Sequence, residues 1–324
     1  MTRRIVLCEM KQVPQTTVVS AATLDSPASA TIVREPRLVF LNLLQICDSA
    51  LPISGFTHSG GIEAAWRRGA IPTIDHLQRF LKICIIATCS QQVPYVAAAY
   101  AALTSPQAEP DSTAPAFNLQ ANSTDVDGDI PECIRRLTKL DRLLSVSLSN
   151  HVARRASLQQ GRTLLSLAIE VFPSTAPLHR LEMLRVNSAV RLSDHDSDEK
   201  AASFTPPSGV NFVEGPNQRR LARFEGHLAV VFGAVCALLG AQLSETLDAF
   251  AFSTLRNSLS AAIRLGRIGP VQAQTLQHSL SDFCVRAVER YSQQRCGEED
   301  HQASPTVDLY QNSQDRLFTK MFYS

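Results

Sequence analysis

The chain has 324 residues, enough for a sizeable core and for one to three domains. Its 31 basic and 30 acidic residues leave a formal net charge of +1, which excludes the electrostatic footprint of a nucleic-acid or anionic-membrane binder. At 44% hydrophobic and only 6% aromatic, with Ala and Leu prominent in the central segments, it reads as a globular, helix-rich protein rather than a disordered one.

Residues 1–35 are Ser-, Thr- and Ala-rich without a period, which predicts a flexible N-terminal extension rather than a transit peptide. Pro36 stands at a helix start, and an apolar segment runs to Cys47. There the pattern stops. The stretch LLQICDSALPISGFTHSGGIEAAW, residues 43–66, mixes the breakers Pro52, Gly55, Gly60 and Gly61 with polar residues and with Leu51, Ile53 and Phe56. Such a mixture predicts an ordered loop, anchored by its apolar side chains, that leads into a short helix over 61–68. Asp48 is expected to cap the turn that follows it.

Thr73 is a candidate N-cap for a helix over 74–89, with Leu77, Phe80, Leu81, Cys84 and Ile85 at helical steps. Pro94 is expected to kink or restart that helix, and 96–103 continue it. Residues 104–130 are polar and rich in Ser, Thr, Pro and Asp, and read as a disordered insertion. Pro131 opens the next helix, whose apolar side is read as Leu137, Leu140, Leu143, Leu144 and Val146. Ser149 and Asn150 then form a break or cap before a helix to Phe172. Gly161 inside that helix is expected to admit a closely packed neighbour. A short helix over 177–186 precedes a second polar insertion, 187–217.

The last third is the most regular. Residues 221–239 are apolar and end at Gly240. Ser244 and Glu245 start a helix with the stripe Leu247, Phe250, Ala251, Leu255, Leu259, Ala262 and Ile263. After a turn between Gly266 and Gly269, Pro270 starts another, striped by Leu276, Leu280, Phe283, Cys284 and Ala287. No segment alternates with period two, so the fold class is all-α: one helical domain of about eight to ten helices over 36–296, with two insertions and a C-terminal tail over 297–324. The eight cysteines contain no CxxC pair and lie mostly in apolar patterns, which predicts reduced, buried thiols in a cytoplasmic protein. No apolar run reaches the ~18 residues of a membrane span.

The chain has no GxxxxGK[ST], GxGxxG or HExxH motif, so it carries no nucleotide cradle or zincin helix of its own. Ser49, Ser54 and Ser59 lack a nucleophile elbow. One enzymatic alternative remains, a metal-dependent hydrolase built on His58, Glu63 and His227. Arg256, Asn257 and Arg264 project from an otherwise apolar helix, either as a solvated face or as a polar contact surface at a dimer or complex interface. The tail carries Leu309, Tyr310, Leu317, Phe318, Met321, Phe322 and Tyr323. It either packs back on its own domain or docks into a partner.

Five blocks, in order, carry a family resemblance: LLQICDSALPISGFTHSGGIEAA; ARRASLQQGRTLL at 153–165; GHLAVVFG at 226–233; FSTLRNSLSAAIRLGRIGP at 252–270; and the closing DRLFTKMFYS. Together they resemble the urease accessory protein F (UreF) family and cover most of the chain outside the insertions. Three positions depart from the family pattern. Ser54 replaces the first glycine of a Gly-Gly-Phe, Gln314 stands where His is common, and Thr319 stands where many members show Arg, with Lys320 one position later.

The resemblance implies an all-helical, non-enzymatic, dimerising protein without a cofactor. Such a protein bridges urease accessory protein D (H in some systems) and the GTPase accessory protein G, and the complex delivers nickel to apo-urease. The residues implied to face partners are Asp48, Ser49, His58, Ser59 and Glu63 in the loop and Arg256, Asn257 and Arg264 on the helix. In the tail they are Asp315, Arg316, Leu317, Phe318, Lys320 and Phe322.

Overall fold

The computed structural model describes residues 35–104, 132–172, 184, 224–297 and 304–324. Among these residues there are nine α-helices and no strand: α1 (Pro36–Cys47), α2 (Ile62–Arg67), α3 (Ile74–Thr104), α4 (Glu132–Ser147), α5 (His151–Val171), α6 (Leu228–Leu239), α7 (Leu243–Arg264), α8 (Pro270–Tyr291) and α9 (Pro305–Ser313). The all-α expectation is therefore met. The expected N-terminal extension, both insertions, the short helix over 177–186 and Cys8 lie outside the described residues, apart from Glu35, Thr104 and Leu184 at their margins.

The core is built on α3 and α6. Every residue of α6 from Ala229 to Cys236 is buried, as expected of a helix that is apolar all round. It crosses α3 at Gly233, where a Cβ would collide with the carbonyl oxygen of Val96. Helices α4, α7 and α8 cover other faces of α3, and α5 packs on α6. By length and composition α3 would suit a bilayer, but more than half of its most apolar window is buried inside the bundle. It also runs unbroken through Pro94, where a kink or restart was expected. Proline removes one backbone donor, but Val93, Pro94, Tyr95 and Val96 are all buried, and packing on both sides of the proline holds the helix.

Local signals mostly match their elements. Asn150 caps α5 by accepting from the amides of Val152 and Ala153. Gly240 ends α6 in the left-handed conformation, and Pro270 opens α8. Gly161 meets its expectation of close packing, although its neighbour is the chain entering α6: a Cβ there would collide with the Gly226 carbonyl oxygen. The seven described cysteines are free thiols. Burial pushes Cys84 and Cys89 up to about 12 and Cys284 to about 11, so they are unreactive.

Two further expectations needed correction. On α4 the inward stripe is Ile134, Leu137, Asp141 and Leu144, so Leu143 is exposed and Val146 is 82% exposed. Within the apolar segment 221–239, the described residues 224–227 are not helical and α6 begins at Leu228. The cause is Asp141, a fully buried carboxylate one turn after Leu137. It accepts the backbone amides of Glu225, Gly226 (3.1 Å) and His227 (2.8 Å), and so holds the chain out of helical conformation before α6. Burial pushes Asp141 up to about 6 despite those three donors.

Replacing Asp141 with Ala leaves three amides, those of Gly226 and His227 in buried residues, without an acceptor. The expected loss is at least ~3 kcal/mol of stability, with Asp141→Asn losing less because its amide oxygen still accepts. Urea unfolding followed by circular dichroism measures both, and an unchanged midpoint for Asp141→Ala would refute the role.

Candidate functional site

The loop between α1 and α2 is held from three directions. From beneath, α7 supplies two arginines about two turns apart. Arg256 donates to the Cys47 carbonyl (2.7 Å) and to Ser49 Oγ (2.9 Å), closing the C-terminal end of α1 where a cation is favoured. Arg264 donates to the Phe56 carbonyl, and its guanidinium lies 4.6 Å from the Phe322 ring centroid and 5.7 Å from that of Phe56. Between them Asn257 packs against Gly55 so closely that a Cβ there would lie 2.9 Å from its amide nitrogen. Asp48 does cap its turn, accepting from the Ala50 amide.

From above, the C-terminal segment folds back onto the loop. The Tyr323 amide donates to the Thr57 carbonyl (2.9 Å), and the Ser59 amide donates to the Ser324 carbonyl (2.5 Å). Beneath this pairing lies Glu63, with no solvent exposure. Its carboxylate accepts from the amides of Met321 (2.8 Å) and Phe322 (3.0 Å), from Gln314 Nε2 (2.8 Å) and from Arg67 (3.3 Å). Burial alone would push Glu63 up, but these four bonds together outweigh it and hold the group below the ordinary carboxylate value. Gln314 also donates to the Phe322 carbonyl, so one side chain links the start of the tail to its end.

From the side, α5 supplies Arg155. It makes a bidentate pair with Asp315 at 3.1 and 2.9 Å, and its guanidinium lies 4.8 Å from the Tyr323 ring centroid. Arg155 holds Asp315 down at about 2, helped by His151. Lys320 also reaches Asp315, at 3.4 Å. Asn150 extends the α5 contact to α9 through Asp308 and Gln311.

The residues singled out in the sequence thus divide into three sets. His58, Ser59, Glu63 and Phe322 are buried against their own chain, while Asp48, Ser49, Arg264, Asp315, Arg316, Phe318 and Lys320 are exposed. Arg256, Asn257 and Leu317 are intermediate. Sequence reasoning did not single out Arg155 or Asp141. Asp141 had a visible signal, an acid at i+4 from Leu137 on an apolar face, whereas Arg155 had only its place in a family-like block.

Two buried histidines complete the electrostatics. His58 shares a hydrogen bond between Nδ1 and Ser324 Oγ, and His227 does so with Ser157 Oγ at 3.1 Å. Burial lowers both to about 4, with Arg155 adding to the effect at His58. Among the described residues no three His, Cys, Asp or Glu side chains are grouped to hold a metal, and both Glu63 oxygens are already engaged. The hydrolase alternative is therefore not supported.

Fold and site thus define an all-helical protein whose most polar loop is locked by its own C-terminal segment and shows no catalytic or metal-ligating constellation among the described residues. Comparison with known proteins gives this class its family. The UreF family model matches residues 73–281. Urease accessory protein F of Oryza sativa subsp. indica is 30% identical over 278 residues, 86% of this chain and 82% of the relative. Its Arabidopsis thaliana counterpart is 29% identical over 280 residues, 86% and 90% of the two chains. The urease accessory protein UreF of Arthrobacter sp. (strain FB24) is 26% identical over 285 residues, 88% and 96%. The chain belongs to the UreF family of urease accessory proteins.

The position of Ser54 now has a physical reading. It is the one non-glycine residue with positive φ (65°) among the described residues, at the position where the family-like pattern has glycine. Ser54→Gly is expected to stabilise the fold by up to ~1 kcal/mol, because glycine adopts this conformation without strain. A thermal melt that does not rise would refute this.

Acid sensitivity follows from the buried groups. His58 and His227 have folded values of about 4 against 6.5 for a free imidazole. The unfolded chain therefore takes up protons that the folded chain refuses, and stability falls as pH drops from about 6.5 towards 4. Asp141 works in the opposite direction, since its folded value of about 6 lies above 3.8. Two groups against one give an expected net loss of about 2 kcal/mol between about pH 7 and pH 5, read as a lower urea midpoint.

Proposed function

We propose that this chain is a non-enzymatic scaffold of urease maturation in the cytoplasm. In this reading it bridges urease accessory protein D/H and the GTPase accessory protein G, as a homodimer within the complex, so that nickel passes as cargo to apo-urease. Family membership supports the urease role. The absence of a P-loop in the sequence agrees with nucleotide chemistry on a partner.

The observation that carries the scaffold reading is the two-sided tail. Gln314, Phe322 and Ser324 are buried inward, while Phe318 is fully exposed, and Leu309, Met321 and Tyr323 are each more than half exposed. Helix α1 adds Leu38, Phe40, Leu41 and Leu44, all exposed. Large apolar side chains held outward on an anchored backbone suit association with another protein. Phe318 and its neighbours are assigned to the D/H protein, and the α1 and α7 surfaces to the remaining contacts.

Deleting the tail would uncover Glu63, so a point change is the cleaner test. Phe318→Asp is expected to abolish retention of the D/H protein and reduce urease activation at least about tenfold, with an unchanged circular dichroism melt. Undiminished co-purification would overturn the assignment.

A further inference from the structure

Helix α2 and the turn joining α7 to α8 meet at Trp66. The guanidiniums of Arg67 and Arg267 lie 5.4 and 4.9 Å from its ring centroid. Arg68 follows on the exposed end of α2, and Arg264 lies one turn before Arg267, over Phe56. Two guanidiniums therefore lie against Trp66 and a third over Phe56, with Arg68 exposed next to Arg67 in the chain. The carboxylate that pairs with Arg67 is Glu63, which is fully buried. Among the described residues Arg68, Arg264 and Arg267 pair with no carboxylate. The chain as a whole is balanced at +1, so this local excess does not follow from composition.

Resting on the scaffold reading above, we infer that this Arg–aromatic patch is a docking surface for an acidic face of a partner protein. Arg and aromatic residues are enriched at interface centres, and acids and Lys are depleted there. Positive charge without exposed counter-charge steers an acidic partner and suppresses wrong ones. Nucleic acid fits less well. Guanidiniums already occupy the Trp66 ring on which a base would stack, and the balanced chain exerts no long-range pull on a polyanion. The patch adjoins the loop–tail unit, because Arg264 touches both Phe56 and Phe322. A partner seated on the tail can therefore reach it.

The test uses the full chain with immobilised D/H and G proteins from the same organism, and measures association rates across a salt series. Wild type is expected to bind one of them with a rate that falls as salt rises. The pair Arg68→Glu and Arg267→Glu is expected to slow association about tenfold at low salt and flatten the salt slope, while the dissociation rate changes little. The neutral pair Arg68→Gln and Arg267→Gln should lie between, and unchanged melts separate this effect from misfolding. If wild type binds and both pairs match its rate and slope, the patch is overturned and the scaffold stands. If wild type binds neither protein, the scaffold reading falls and takes the patch's occupant with it. Retention of wild type, but not of the Glu pair, by phosphatidylserine vesicles or by tRNA in preference to both proteins would overturn the choice of a protein partner.

Discussion

A carboxylate cannot sit fully buried unless donors replace the water it loses. Glu63 is such a group, and three of its four donors come from residues 314–322, some 250 positions later in the chain. This bond set makes the loop and the tail interdependent. Without the tail, Glu63 would be a charged group facing an opened seam. Without Glu63, the Met321 and Phe322 amides would lose their acceptor. The pairing of Tyr323 with Thr57 and of Ser59 with Ser324 follows from the register that Glu63 sets.

Around that centre the remaining contacts distribute work between helices. Helix α7 reaches up through Arg256 and Arg264 and fixes the loop backbone at its carbonyls. Helix α5 reaches across through Asn150 and Arg155 and fixes α9 and Asp315. Both helices are themselves held by the α3–α6 core, whose buried glycine contacts leave little freedom to shift. The UreF-family loop is therefore one face of a structure assembled from both ends of the domain, rather than a self-contained motif.

Much of this was legible in the sequence because it was local. Apolar spacing gave the stripes of α7 and α8, and Pro36, Asn150, Gly240 and Pro270 marked ends that the helices respect. The helix through Pro94 and the outward face of Val146 were misread because tertiary packing overrode a local preference. The site was harder. Its residues were largely named, but their partners were not, since spacing says nothing about contacts across 250 residues. Arg264 is exposed on its helix and also clasps the loop, and Phe322, for which packing back and docking outward were both open, is buried. A carboxylate on an apolar helical face, as at Asp141, is the kind of signal that does reveal such a hidden anchor.

Two of the donors to Glu63 are main-chain amides, and a main-chain amide is the same whatever side chain it carries. The Met321 side chain points into solvent while its backbone holds the carboxylate. Residue 321 can therefore mutate widely without loosening the seam, and the fully exposed Phe318 is equally free of it. The outward lettering of this segment answers to what it meets outside, so the surface it presents can change at position 321 while its attachment through Glu63 stays constant.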